Sequence, residues 1–395
     1  MKITAVITII LSLVLLTANF AAAASVDSVD ILIKALVDRQ IITEDDASAV
    51  RAEIATIRQD EEANKKSYSV TGKQPIKLSG YVQERYVQST QPGVNSSLEA
   101  RRVRLTLSGD ATPTVDYKVQ LEFAGSRKGL TDSSIKNGAL SSKTGSFGKP
   151  LLVDGVIGYK VFGGNKLSVG QFKIPFGLEN LTSSYNLDTI NRTQVTETLV
   201  PGRDNGSQGR DIGVQFGGTK QLNEEGSKQL EYQLAFFNGA GINVGDDNGR
   251  KDVAGRVLWK PGIDGLSIGA AHYNGSAGAA RLAHVRTGGE AVFIRGPWTV
   301  KSEYVWAKDA SINKKGWYAT LVRQLNSNTQ AVVRYDNLDP NTSADNDRAS
   351  TWTYGLNRFL NKDGSTRIQL NYERHLEQGT QKPNDLILAQ FQAGY

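Results

Sequence analysis

VDYKVQLEFA, residues 115–124, alternates polar and apolar side chains at nearly every position. Its apolar members are Tyr117, Val119, Leu121 and Phe123, and its polar members are Asp116, Lys118, Gln120 and Glu122. Successive side chains of a β-strand point to opposite faces of a sheet, so this segment predicts a strand with one apolar and one ionic face. Residues 365–376 repeat the pattern. Soluble sandwiches alternate as well, so the pattern alone does not distinguish a sandwich from a membrane barrel.

The number of such segments is more informative than any one of them. Sixteen strands are predicted near 76–88, 99–110, 115–124, 151–161, 165–172, 210–218, 229–238, 251–260, 264–273, 284–295, 298–308, 315–325, 328–337, 349–358, 365–376 and 385–395. Most are long enough to cross a bilayer, which takes ~9–11 residues of a tilted strand. An even number of strands of this length is typical of an outer-membrane barrel.

The connections between these strands differ in length on the two sides. Those after even-numbered strands are mostly short, such as 111–114 and 296–297, although 219–228 is an exception. Those after odd-numbered strands are mostly longer, including 125–150 and 173–209. Short periplasmic turns and longer extracellular loops characterise outer-membrane barrels. The expected fold is therefore all-β, a 16-stranded antiparallel transmembrane β-barrel over residues 76–395.

The residues before the barrel divide into three predicted segments. Residues 1–24 combine Lys2, an apolar run and a small-residue end, which is typical of a cleavable signal peptide. Residues 25–66 show a narrow apolar stripe at helical spacing behind Thr43, with Asp46 three places on as in a capping box. This stripe favours a short periplasmic α-helical, coiled-coil-like segment, with a helix lying against the barrel as the alternative. Residues 67–75 are polar and are predicted to be a linker.

Large aromatic residues fall mostly near the predicted strand ends, where they would form interfacial girdles. The set is Tyr81, Trp259, Trp298, Trp306, Trp317, Trp352, Tyr354 and Tyr395. Tyr395 also ends a strand in which alternate residues are apolar, which resembles the signal by which bacterial barrels are presented for outer-membrane assembly.

Composition argues against several classes of function. The chain has no cysteine, which excludes disulfides and thiolate metal sites, and its three histidines show no metal-site or nucleophile–base spacing. We therefore expect no enzyme activity, no metal and no cofactor. Residues 67–395 carry 39 basic and 30 acidic side chains. Given the signal peptide, this excess favours acidic lipid or anions in a pore over nucleic acid.

Several cations occupy strand positions whose side chains are predicted, from the alternation, to point into the lumen. In strand 2, Val103 and Leu105 face one way, so Arg102 and Arg104 are predicted to face the lumen, with Arg101 at the outer end of the strand. Further lumen candidates are Lys118, Arg256, Arg334 and Arg367. Guanidinium groups along a pore favour phosphate-like anions, although any polar lumen needs charges and acids are present there too.

The longest connection, 173–209, is expected to fold inward and narrow a barrel that would otherwise be too wide to be selective. Its charges are mixed, with Arg192 and Arg203 among its cations. The alternative is a loop that caps the outside of the barrel.

The chain resembles the phosphate-selective porin family of bacterial outer membranes, the porins O and P. The resemblance covers essentially the whole mature chain. It is densest in RRVRLTLSG (101–109), DYKVQLEF (116–123), the strand carrying Asp154, and GQFKIPFGLENLTSS (170–184) with PGRDNG (201–206). It implies a homotrimer of sixteen-stranded barrels whose third loop enters the channel. It also implies anion-path roles, by position, for Arg101, Arg102, Lys118, Asp154, Ser183 and Ser184, to which we add Arg104 and Arg203.

Two positions depart from the family pattern. Asn180 stands where phosphate-specific members carry a lysine, and Arg104 replaces an aromatic residue. On the sequence alone, a lysine at position 180 is expected to strengthen block of the channel by phosphate.

The leading hypothesis is a passive outer-membrane channel for phosphate-like or other small anions, with those anions, outer-membrane lipid and two further copies of the chain as partners. A general non-selective porin, a barrel that sheathes a partner such as an electron-transfer protein, and a barrel enzyme or soluble lectin-like sandwich are the alternatives.

Overall fold

The structure is a computed structural model. It describes residues 75–124 and 151–395, together with the short segments 33–34, 36–39, 43–44, 46–48, 134–136 and 139–141. The chain forms two compact units, Met1–Pro75 and Ile76–Tyr395.

The second unit is a closed barrel of sixteen antiparallel strands. The barrel strands are β1 (Lys77–Ser89), β2 (Ser97–Thr112), β3 (Val115–Glu122), β6 (Leu151–Lys160), β7 (Lys166–Lys173), β8 (Arg210–Gln221), β9 (Lys228–Phe237), β10 (Asp252–Pro261), β11 (Leu266–Ala277), β12 (Leu282–Arg295), β13 (Trp298–Asp309), β14 (Ile312–Asn326), β15 (Thr329–Asp339), β16 (Ala349–Phe359), β17 (Arg367–Glu377) and β18 (Leu386–Gly394). Two three-residue strands, β4 (Ser134–Lys136) and β5 (Ala139–Ser141), pair in a separate small sheet. The sixteen-stranded prediction is confirmed.

Closure occurs between the first and last strands, where Tyr81 pairs with Gly394 and the Gly80 amide donates to the Tyr395 carbonyl at 2.9 Å. Both ends of the barrel sequence therefore lie at the end of the short turns. This is the periplasmic end of an outer-membrane barrel.

Burial alternates along the strands in the sense opposite to that of a soluble protein. On β17 the apolar residues Ile368, Leu370 and Tyr372 are exposed. The intervening polar residues of that strand are buried. A sandwich would bury the apolar face, so this inversion identifies the outer face as the one that meets lipid.

Two of the connections at the long-loop end are much shorter than expected. Strands β11 and β12 are joined by residues 278–281, and β13 and β14 by residues 310–311. The strand ladders continue into the predicted loops, where Lys308 pairs with Asn313. Ala310 takes a positive φ of 53°, as a tight two-residue hairpin turn requires. The 125–150 connection lies almost wholly outside the described residues.

The outer face carries aromatic residues toward both ends of the strands. Trp298 and Trp306 are exposed and lie eight positions apart on β13. That is ~26 Å along a strand, or roughly 20 Å across the membrane at a tilt of about 40°, close to the height of an apolar belt. Tyr81 was predicted to belong to this girdle, and that prediction is wrong. Its ring is buried inside the barrel, 5.5 Å from the Tyr185 ring.

In the first unit, the described residues between 33 and 48 are mostly helical. The Asp46 amide donates to Thr43 Oγ1 at 3.2 Å and the Thr43 amide donates to Asp46 Oδ2 at 3.0 Å, the reciprocal geometry of a capping box. The predicted signal peptide lies outside the described residues, as do residues 67–74 of the linker, and the coiled coil stays a prediction. No helix among the described residues is long and apolar enough to cross a membrane.

Candidate functional site

The 174–209 connection between β7 and β8, called the inner loop from here on, lies inside the barrel. It contains two short α-helices, α1 (Leu178–Leu181) and α2 (Gln194–Leu199), with a 3-10 helix (Ser184–Asn186) between them. Side chains from the walls bond to its backbone: Asn371 Oδ1 accepts from the Ile190 amide at 2.7 Å, and Arg334 donates to the Asn191 carbonyl at 2.9 Å. These bonds place the loop across the lumen rather than over its mouth.

Helix α1 is fixed at both ends by residues outside it. Glu303, on β13, accepts from the Leu178 amide at 2.6 Å and from the Glu179 amide at 2.9 Å. At the other end, the Lys173 ammonium donates to the carbonyls of Asn180 at 2.6 Å and Thr182 at 2.9 Å. Acceptor oxygens thus meet the free amides at the N-terminus, and a donor meets the free carbonyls at the C-terminus. These bonds satisfy backbone groups that have no partner within the helix.

An apolar cluster attaches the rest of the loop to one side of the barrel. Ile174, Phe176, Val195, Leu199 and Val200 of the loop are all almost fully buried. The inward positions they meet on β9–β13 and β15 are largely small or apolar. The wall members of the cluster are Ala235, Phe237, Ala254, Ala271, Tyr273, Val305, Ala307 and Leu338. Burying each of the larger loop side chains stabilises this arrangement by about 2 kcal/mol. The inward alanines leave the space that the loop side chains fill.

Salt bridges add further attachments. The Lys301 ammonium lies 2.6 Å from Asp188 Oδ2. Asp204 Oδ2 lies 2.7 Å from both His284 Nε2 and Arg286 Nη2. Burial alone would raise the pKa of Asp204, but the His284 hydrogen bond and the Arg286 charge outweigh it and hold the pKa below its ordinary value. The loop is therefore bonded to β12, β13, β15 and β17.

Arg102 and Arg104 lie on the lumen side of β2, as predicted, with 8 % and 4 % of their surface exposed. Arg102 donates to Gln83 Oε1 at 2.9 Å. Arg104 donates to Glu122 Oε2 at 2.8 Å, and its guanidinium lies 5.9 Å from the centre of the Tyr81 ring. Arg101 is half-buried at the residue where the pairing of β1 and β2 shifts register.

Asp154 connects two cations of this wall. Its Oδ1 accepts from Arg210 Nε at 2.6 Å and its Oδ2 from the Lys118 ammonium at 2.7 Å. Arg210 is buried, whereas the Lys118 side chain is 43 % exposed. Lys118 is therefore well placed to meet a solute.

The predicted serines differ from each other. Ser183 is exposed, and its Oγ accepts from the Tyr185 amide at 3.3 Å. Ser184 is buried, and its Oγ accepts from Arg192 at 3.1 Å. Burial and the neighbouring charge of Arg203 lower the pKa of Arg192, against the opposing effect of Glu197 and Glu179. Only Ser183 of the pair is open to a solute.

Arg203 bonds within the loop, to Asn180 Oδ1 at 2.8 Å and to Glu197 Oε1 at 2.8 Å. Three other predicted lumen cations also face inward, but each is already bonded to another group of the protein. Arg256 pairs with Glu290, Arg334 donates to Thr189 Oγ1 at 2.6 Å, and Arg367 donates to the Tyr185 carbonyl. These arginines attach the loop or brace the wall, so they do not form a ladder of free anion sites.

Taken together, the charges around the inner loop are unequal from side to side. On the side of β2, β3 and β6–β8, which together with the loop beside it we call the basic wall, the described residues include eight basic side chains, namely Arg101, Arg102, Arg104, Lys118, Lys173, Arg192, Arg203 and Arg210. The carboxylates on the same strands and on the loop beside them include Glu99, Glu122, Asp154, Glu179, Glu197 and Asp211. The formal excess of two positive charges among these groups lies in a narrowed, low-dielectric lumen, where it acts more strongly than in water.

The alternation of side chains along the strands did not predict several residues of the site. Arg210 lies an even number of positions from the lipid-facing Val214 and Phe216, so alternation predicts that it faces lipid. At the end of the strand, however, its side chain turns inward to Asp154. Lys173 and Glu303 were not singled out because nothing in their spacing reveals a helix packed against them. The described residues contain no cluster of acidic or histidine side chains able to hold a metal ion.

Above the inner loop, toward the long-loop end, a cavity of about 1230 Å³ opens between the loops. Its lining includes Asp204 and His284 of the loop attachment, Lys314 of β14, and Arg348 just before β16. A solute entering from outside would cross this vestibule before reaching the inner loop.

A closed sixteen-stranded barrel with a lipid-facing exterior, a charged lumen and a loop folded across it is an outer-membrane porin. The chain belongs to the phosphate-selective porin O and P family, which it matches over residues 77–393. Its place is the bacterial outer membrane. No curated protein matches the chain by sequence.

Solved porins share the fold at low sequence identity. The chain resembles the anion-selective porin from Comamonas acidovorans with a TM-score of 0.56 and 14% identity over 82% of this chain and 100% of that one. It resembles the outer membrane channel DcaP of Acinetobacter baumannii with a TM-score of 0.56 and 12% identity over 83% and 99%. For the trimer form of OmpT from Vibrio cholerae the values are 0.51 and 12% over 82% and 99%.

Proposed function

We propose that this porin passes small anions in preference to cations. The observation that carries the proposal is the positive excess of the basic wall beside the inner loop. Each anion that enters exchanges part of its hydration for contacts with fixed cations, while a cation meets repulsion at the same point. The family name and the anion-selective relative from Comamonas acidovorans support this direction.

We place the solute contact at Lys118, Ser183 and Arg101, which are the partly exposed members of the site. The buried arginines act at a distance through their charge. Because Asp154 neutralises part of the charge of Lys118, each contact is weak, which suits conduction better than tight binding. Small inorganic anions, including phosphate, are the expected solutes.

The test is the reversal potential of purified protein in a planar bilayer under a potassium chloride gradient. The wild type should give a potential of anion-selective sign. Lys118→Gln should move it toward zero, because one exposed lumen charge is removed. Lys220→Gln, on the outer face at the periplasmic end of β8, is the matched control and should leave it unchanged. A cation-selective wild type would refute the proposal.

We also propose that the channel works as a homotrimer in contact with outer-membrane lipid. The trimer form recorded for OmpT and the exposed apolar belt support this assembly. Light scattering of the detergent-solubilised protein, corrected for bound detergent, should give three chains per particle. A monomeric mass in several mild detergents would contradict it.

A further inference from the structure

The outer face of β13–β17 carries a row of aromatic side chains, which we call the aromatic ladder. Its ring contacts include Trp317 to Tyr335 at 5.3 Å and Tyr335 to Trp352 at 4.8 Å. The members are Tyr304, Trp306, Trp317, Tyr335, Trp352, Tyr354 and Tyr372. Across the described part of the chain, every ring contact on the outer surface lies on these strands. The ladder is therefore a local feature of one side and not a uniform girdle.

Three cations lie next to the ladder on the same outer face. Lys308 follows Trp306 by two positions, Lys315 is the cross-strand partner of Trp306, and Arg374 is the partner of Trp352. All three lie toward the extracellular end of their strands. Lys308 and Arg374 are exposed and Lys315 is half-exposed.

These cations are not matched by neighbouring acids. Within the ranges that the structure describes, none of the three side chains makes a hydrogen bond or an ion pair. Asp309, the nearest acid along β13, is engaged on the lumen side by Arg286 at 2.7 Å and Lys314 at 2.6 Å. Asp385 accepts the Tyr372 hydroxyl at 2.6 Å. The patch thus keeps positive charge at the level where headgroups of the outer leaflet lie.

The spacing of the cations indicates what could bind. Lys308 and Lys315 lie on adjacent strands, and Arg374 is three strands from Lys315, about 14 Å away at ~4.8 Å per strand. Between them lie the faces of Trp317, Tyr335 and Trp352. Aromatic faces suit the apolar faces of sugar rings, and paired cations suit phosphate.

We propose that this outer patch binds a phosphorylated glycolipid of the outer leaflet, with its sugar rings on the aromatic ladder and its phosphates at Lys308 with Lys315 and at Arg374. A second copy of the chain is a poorer occupant, because subunit interfaces are depleted of lysine and three unmatched charges would be buried there. The binding is separate from the channel and does not depend on its ion preference.

The experiment compares three forms of the purified protein in mild detergent, the wild type, a triple variant of the patch (Lys308→Gln, Lys315→Gln, Arg374→Gln) and a matched triple variant at the periplasmic end (Lys220→Gln, Arg295→Gln, Lys362→Gln). Each is titrated with diphosphoryl lipid A, and with lipid A from which both phosphates have been removed, and adducts are counted by native mass spectrometry. Single-channel conductance, expected to be equal in all three, reports correct folding.

The patch variant should bind diphosphoryl lipid A at least tenfold more weakly than the wild type, and the control should bind as the wild type does. The dephosphorylated lipid should bind all three forms equally weakly. Equal weakening in both triple variants, or equal binding of the two lipids by the wild type, would overturn the proposal. Dissociation of the oligomer by the patch variant would also overturn it, since the face would then be a subunit interface.

Discussion

Asn180 Oδ1 accepts a hydrogen bond from Arg203 Nε at 2.8 Å inside the inner loop. The same side chain donates to the Ile174 carbonyl at 3.2 Å, and Asn180 is fully buried. Asn180, where this chain departs from the pattern of the phosphate-specific members, therefore has a structural role in the inner loop. An amide can both accept from an arginine and donate to a carbonyl, and a lysine can only donate.

This burial changes the expected result of Asn180→Lys. The new ammonium would lie among Lys173, Arg192 and Arg203 and would lose the bond from Arg203. We expect a loosened inner loop, a larger and noisier single-channel conductance, and no added block by phosphate. Ser183→Lys is the matched control, because it adds the same charge at an exposed position of the loop. It should increase anion selectivity at unchanged noise. Stronger phosphate block in Asn180→Lys with quiet currents would contradict this account.

Glu303 is expected to determine how firmly helix α1 is attached. Glu303→Gln replaces one of the two oxygens that accept from helix amides with an NH2 group that cannot accept, and it should weaken the attachment by roughly 1–2 kcal/mol. The measurable result is more frequent current flicker at constant barrel stability. Glu231→Gln serves as a control, because Glu231 pairs with Lys260 at 3.0 Å toward the periplasmic end of its strand, away from the loop. Equal flicker in both variants would show that Glu303 has no special role.

The apolar cluster should be testable by protease digestion. Phe176→Ala removes a fully buried ring from the contact between loop and wall, at a cost of about 3–5 kcal/mol. The sixteen strands do not depend on this contact, so the barrel should remain folded while the inner loop becomes a cleavage site for added protease. Phe216→Ala, an exposed position on the outer face, should leave the loop protected. A Phe176→Ala barrel that resists cleavage as well as the wild type would exclude the cluster as the main attachment.

Acid should release the Asp204 attachment only at low pH. The partners of Asp204 are His284 and Arg286, and Arg286 also pairs with Asp309 at 2.7 Å. A carboxyl whose pKa is depressed by folding contributes stability that is present above its ordinary pKa and is lost as the pH falls through the folded value. The Asp204 attachment should thus stay intact from neutral pH down to about 4, the ordinary range of an aspartate, and a conductance change that depends on Asp204 should occur only below it.

The matched variant for the acid experiment is Asp204→Asn, which should show the low-pH conductance state already at neutral pH. Asp246→Asn, at an exposed loop residue paired with Lys251, should behave as the wild type. A low-pH conductance change of the same size in Asp204→Asn and in the wild type would show that Asp204 is not the responsible group.

The sequence by itself determined the barrel. Alternation with period two specifies which face of every strand meets lipid, and the lengths of strands and loops specify how the strands cross the membrane. These are local properties of the sequence. Arg102 and Arg104 could therefore be assigned to the lumen from their neighbours Val103 and Leu105. The girdle prediction was wrong for Tyr81 because an aromatic ring near a strand end can pack inside the barrel instead of facing lipid.

Only the tertiary structure decided what surrounds each lumen side chain. The inner loop carries no periodic pattern, and its position depends on partners more than a hundred residues away, such as Glu303 for Leu178 and Asn371 for Ile190. Those contacts leave Lys118 and Ser183 exposed and bury Asn180, Ser184 and Arg210. Alternation along a strand determines which face of the sheet a side chain is on. Its burial and hydrogen bonds depend on residues distant in the sequence, and these distinguish the residues that can meet a solute from those that hold the loop in place.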